Sequence, residues 1–163
     1  MKKIGFLLGL VIAVGIAVYF VLAQPKLEAV LLGTGADTKS VVIKLGNKGI
    51  QDIRILNVRV NGEKKPELTK IQTVEAGKAF VISNNFTDKG YTFTDYEDVL
   101  IDAKSSINHS KYGLSVKHAG EIFSVVILYK YLGREFEHRN KKRGPFRFLS
   151  LFLIDFTIQN IGF

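Results

Sequence analysis

Three histidines, His109, His118 and His138, are the only imidazoles in the chain, and no cysteine accompanies them. Zinc ligation draws on closely spaced His and Cys, in patterns such as His-x-x-x-His. None of the three stands in such a pair, so a metal site would require all three to converge through the fold. Separate loop or surface imidazoles are the simpler expectation. The acidic residues are denser, with Asp95, Glu97, Asp98 and Asp102 close together. On a helix Asp95, Asp98 and Asp102 would share one face at i, i+3 and i+7, offering hard oxygens suited to calcium. The stretch lacks the ligand alternation and the Gly of an EF-hand loop. A solvated helix face is the preferred reading, and no metal is expected.

Other chemistry is equally sparse. The chain has no Gly-x-Ser-x-Gly elbow, no phosphate-binding glycine loop and no dinucleotide fingerprint. Gly33-Thr34-Gly35 is too short for any of these and reads as a turn. A pair of carboxylates of the glycosidase kind needs no fixed spacing, and nothing singles one out. Asn85-Phe86-Thr87 and Asn108-His109-Ser110 match glycosylation acceptors and receive no role. The expectation is a protein without catalytic residues or cofactor.

The net charge is +8, yet it is unevenly spread. Residues 24–133 hold fifteen basic against twelve acidic groups, whereas residues 134–147 hold six against two. Arg139, Lys141, Lys142 and Arg143 form a compact run, a candidate contact for an anionic surface. In a cytosolic protein such a run beside Tyr129, Tyr131 and Phe136 would suggest nucleic acid.

Placement decides against that. Residues 4–23 carry no charged or strongly polar side chain, and as a helix they would extend about 30 Å, the thickness of the hydrocarbon core. Tyr19 and Phe20 suit an interface and Pro25 ends the helix. Lys2 and Lys3 outweigh Lys26, so the charge rule puts the N-terminus in the cytoplasm and the rest outside. Residues 1–24 are therefore expected to be a single-pass anchor. A cleaved signal ending at Val21-Leu22-Ala23 is the alternative, although the apolar run is long for one. Gly5, Gly9, Ala13 and Ala17 recur every fourth residue and form a candidate helix–helix contact. The partners expected are the lipid bilayer, an envelope or membrane protein, and anionic lipid or wall polymer, without nucleic acid.

Beyond residue 27 the patterning has period two. Val41, Ile43 and Leu45 alternate, and Gly46-Asn47-Lys48-Gly49 turns the chain. Ile53 and Ile55 occupy one phase, Val58 and Val60 the other, which implies a bulge near Asn57. Asn61-Gly62 is a turn. Residues 68–74 and 78–83 read as strands. In the run 122–132, Phe123, Val125, Ile127, Tyr129 and Tyr131 share a face, followed by a Gly133 hairpin. Thr94 and Glu97 resemble a capping box, with Tyr96, Val99, Leu100 and Ala103 at helical spacing, so one short helix is expected there. The fold class expected is all-β, an antiparallel sandwich over residues 25–143.

The order of elements, and residues 41–62 above all, resembles the immunoglobulin-like domains that bacteria display beyond a membrane anchor. The Cys pair and core Trp of antibody domains are absent, so the resemblance assigns no functional residue. Lys2-Lys3-Ile4-Gly5 before Phe6 also resembles the leader junction of type IV prepilins, with Leu10 where that family has Glu. These resemblances imply a membrane-tethered extracytoplasmic binding or structural module, with a pilus-like or adhesion subunit as the alternative. Residues 144–163 are rich in Phe: five of the twelve stand there. They read as a last strand, with a membrane-surface segment or a segment foreign to the domain as the other readings.

Overall fold

Turn residues cut the chain into short runs, some paired with the next strand across a turn (β1–β2, β8–β9) and others with strands distant in sequence (β2–β7, β3–β8). The computed structural model describes residues 2–22, 24–75, 78–83 and 85–141, and within the N-terminal helix the side chains of residues 9–19. Among the described residues nine strands form two open antiparallel sheets. The five-stranded sheet has the order β1 (Leu27–Thr34), β2 (Ser40–Asn47), β7 (Tyr112–Lys117), β4 (Leu68–Thr73), β5 (Thr92–Asp95). The four-stranded sheet has the order β6 (Leu100–Ile101), β3 (Ile53–Val60), β8 (Ser124–Tyr131), β9 (Arg134–Lys141).

Alternation sets the core. Val41, Ile43 and Leu45 of β2, Ile71 of β4, and Leu114 and Val116 of β7 face Ile53, Ile55, Val58 and Val60 of β3 and Val125, Ile127, Tyr129 and Tyr131 of β8 in one cluster. A fully buried Ile or Leu side chain is worth about 1.5–3 kcal/mol, so this shared layer holds the sheets together. The phase change in β3 is a register shift between Ile55 and Asn57 against β8. It keeps Val58 and Val60 inward after Ile53 and Ile55. Asn61 and Gly62, at φ 51° and 97°, close the turn beyond it. Leu132 and Gly133, at φ 48° and 76°, close the two-residue β8–β9 hairpin in the left-handed region that a type I′ turn requires.

Side-chain hydrogen bonds tie the β2–β3 turn to both sheets. Asn47, fully buried, donates from Nδ2 to the carbonyls of Gln51 (2.8 Å) and Ile101 (3.0 Å), and its Oδ1 accepts the Gly49 N–H at 2.7 Å. Because Ile101 belongs to β6, this one side chain bonds the two sheets to each other. Close by, the Tyr131 hydroxyl accepts the Ile50 N–H at 3.1 Å.

Four expectations need correction. The N-terminal helix α1 (Lys2–Leu22) forms. Among the described residues no helix is long and apolar enough to cross a membrane. The transmembrane anchor, the single-pass topology with a cytoplasmic N-terminus, and the lipid bilayer as partner are therefore not upheld, nor is the membrane-tethered function built on them. The internal helix expected around residues 94–103 is one three-residue 3-10 turn, Tyr96–Asp98. β5 and β6 take the flanks, because Thr92–Asp95 pairs with β4 and Leu100–Ile101 with β3. Residues 78–83 are extended but belong to no strand. Phe123 is 58% exposed, whereas Val125, Ile127, Tyr129 and Tyr131, expected to share its face, are buried. The Asn61 Oδ1 accepts the Phe123 and Ser124 N–H groups, which fixes the backbone there before β8 begins.

Candidate functional site

The outer face of the five-stranded sheet carries the feature that sequence reasoning missed. Val42 of β2, Gln72 of β4 and Ser115 of β7 alternate with core residues and should face water, yet each is buried. The chain leaving β4 covers them. The Val74 N–H donates to the Lys111 carbonyl at 3.0 Å, so the strap starts along the end of β7. It then crosses the sheet. The Gln72 Oε1 accepts the Val81 N–H at 3.0 Å, and its Nε2 donates to the Val81 carbonyl at 3.4 Å, so an amide side chain takes the place of a neighbouring strand. The Phe80 ring lies on Gly113, where a Cβ would come within 2.5 Å of it. Ile82 reaches β1, where a Cβ at Gly33 would stand 3.1 Å from its Cδ1. The return is anchored by the Ser83 Oγ, which accepts the Phe86 N–H at 2.7 Å, and by Phe86 stacked on Phe93 of β5 at 5.4 Å.

Between this strap and the loop entering β7 lies a groove of about 980 Å³. The strap supplies Val74, Glu75, Lys78, Ala79 and Phe80, and the loop supplies Asn108, His109, Ser110 and Lys111. Leu32, Lys44, Thr73 and Thr92 reach it from four strands of the sheet. The lining mixes apolar, basic and amide side chains. Volume and mixed lining both suit a small ligand.

Its charges differ in how they are held. Lys78 pairs with Glu75 at 2.9 Å, and that hydrogen bond lowers the Glu75 pKa. Lys111 pairs with Asp102 at 3.0 Å and lies 5.2 Å from the Tyr112 ring centroid. Hydrogen bonds from Tyr112 first, then Lys111, hold Asp102 below the ordinary carboxylate range, and the Lys111 pKa is raised by the same contact with Asp102. Lys44 is held differently. Its Nζ donates to the Asn108 carbonyl at 3.4 Å, and among the described residues no carboxylate lies within ion-pair distance of it.

The residues singled out from the sequence are mostly scattered. His109 lines the groove, His118 follows β7, and His138 lies on β9. Among the described residues no group of acids and histidines could hold a metal. The acidic cluster is split by the loss of its helix: Asp95 pairs with Lys70 at 2.9 Å, and Asp102 turns to Lys111. Arg139 and Lys141 sit on β9, with Arg139 bonded to Glu137 at 3.4 Å. Lys142, Arg143 and the tail 144–163 lie outside the described residues. Gly5, Gly9, Ala13 and Ala17 are on α1, and nothing lies within 4 Å of a Cβ built at Gly9.

No family model matches this chain, and no curated protein or solved structure resembles it. The resemblance to membrane-anchored immunoglobulin-like domains is accordingly withdrawn, and with it the envelope partner and the pilus-like or adhesion role. What stands is an all-β fold of two open antiparallel sheets.

Proposed function

We propose that this protein is a non-catalytic binding module whose ligand occupies the groove between the strap and the loop before β7. The observation that carries the reading is the strap itself. It spans the outer face of a sheet that already has a complete core on its other side, and it walls a groove of ligand size. The groups along the groove favour binding over turnover. Glu75 is engaged by Lys78 and its pKa is lowered, which makes it a weak base. The Ser110 Oγ accepts the Tyr112 N–H at 3.1 Å, a turn-stabilising bond rather than a contact with a base.

A fragment library screened by amide chemical-shift mapping tests this. Shifts should cluster on Lys44, Thr73, Phe80, Thr92 and residues 108–111, and every fragment should be recovered unchanged. Shifts gathered instead in the shallower hollow formed by Ile50, Arg54, Leu100, Lys130 and Leu132 would move the site. Chemical conversion of a fragment would overturn the non-catalytic reading.

A further inference from the structure

The lining of the groove carries its ligand class. Leu32, Val74, Ala79 and Phe80 give it an apolar side, and Lys44, Lys111 and His109 face it beside the single carboxylate Glu75. Glu75 and Lys78 satisfy each other. Among the described residues, the Lys44 ammonium makes one hydrogen bond, a long one to a neutral carbonyl at 3.4 Å. It lies on β2 opposite Gly113 of β7, the residue under the Phe80 ring, so the ammonium and the ring are borne over adjacent strands. An ammonium with three donors and no carboxylate partner is a point-charge acceptor site for an oxyanion. Phe80 and Leu32 supply apolar surface to the same groove.

We propose that the groove binds a small amphiphilic anion, an oxyanion head on an apolar body, with Lys44 as the head's anchor. Carboxylate and phosphate share the required chemistry. The inference rests on the reading that the groove is the binding site, and it commits to what that site selects. His109, Asn108 and Lys111 border the head, and the body lies along Phe80 toward Leu32.

Titration of the full chain with phenyl phosphate, benzoate and benzyl alcohol, followed by amide and lysine side-chain NMR, tests it. The anions should perturb Lys44, His109 and Phe80 saturably, and more tightly than the neutral alcohol. Whichever anion binds tighter identifies the head. Lys44→Gln should weaken the anions roughly tenfold, the loss expected of one charge-assisted contact, and leave the alcohol unchanged. Unaltered amide signals at Val41 of β2 and its partner Val116 of β7 establish that β2 is intact in the variant. If benzyl alcohol binds as tightly and Lys44→Gln changes nothing, the anion proposal fails while the groove remains the binding site. If no probe perturbs the groove, the anion proposal also fails, and the fragment screen alone decides whether the groove binds anything.

Discussion

The Phe80 ring occupies the space above Gly113 that any other residue's Cβ would claim, 2.5 Å from the ring's Cδ1. The strap can therefore lie flat on β7 because position 113 has no side chain. Gly113→Ala should force the ring outward and cost about 1–3 kcal/mol in urea unfolding, the range for an overpacked contact. In a Phe80→Ala background the same change should cost much less, since the obstructing ring is gone. Equal costs in the two backgrounds would show that the strap and β7 are energetically independent.

Gln72 extends the argument from shape to hydrogen bonding. It is fully buried, and both its amide atoms engage the backbone of Val81. Gln72→Leu keeps the volume roughly constant but leaves the Val81 N–H and carbonyl without those partners. A loss of about 1–3 kcal/mol is expected. The sharper readout is local. Amide exchange at Val81 should accelerate strongly while Ile43 and Leu114 in the core keep their protection, because the strap opens without the sheets.

Asn47 predicts a different failure. Its three hydrogen bonds join the β2–β3 turn to β6 across the two sheets. Asn47→Ala should therefore cost about 2 kcal/mol or more, and the loss should be global. Exchange at Ile101 and Gly49 should rise together with that of the core. Confinement of the effect to the turn would contradict the role of Asn47 as a link between sheets.

These three positions also show why some of the fold was legible in the sequence and the site was not. Asn61-Gly62 and Gly133 are turns by local chemistry, and the phase change around Asn57 is local too, so each could be read from a few residues. The extended run 78–83 had the period of a strand, but Val81 satisfies its backbone on the Gln72 side chain, a partner that no periodicity reveals. Residues 94–103 had helical spacing because Tyr96 and Val99 both pack on the core. A 3-10 turn between two short strands meets the same demand. The groove draws on Leu32, Lys44, Thr73, Phe80, Thr92 and His109, which come together through the β1-β2-β7-β4-β5 order of the sheet, two of whose pairings, β2–β7 and β4–β7, join strands distant in sequence. A buried Gln opposite a Gly on the next strand is the signal that could have disclosed a covered outer face.

His138 makes stability depend on pH. It alternates with the outward residues of β9 and lies on the same side as Phe136, whose ring stacks on Tyr129 at 5.6 Å. Burial there lowers its pKa from the ordinary histidine value of 6.5. The unfolded chain, with the ordinary value, then takes up a proton more readily than the folded one. Above about pH 6.5 both states hold a neutral imidazole and the residue contributes no pH dependence. As pH falls from there through the lowered folded value, the unfolded state gains and stability declines, levelling off once both states are protonated. His138→Gln should remove this slope below about pH 6.5 while leaving the carboxylate-driven loss at lower pH, where Asp102 is protonated against its lowered pKa. Urea midpoints measured at half-unit pH intervals for the two proteins provide the check. An identical slope in both would place the titration elsewhere.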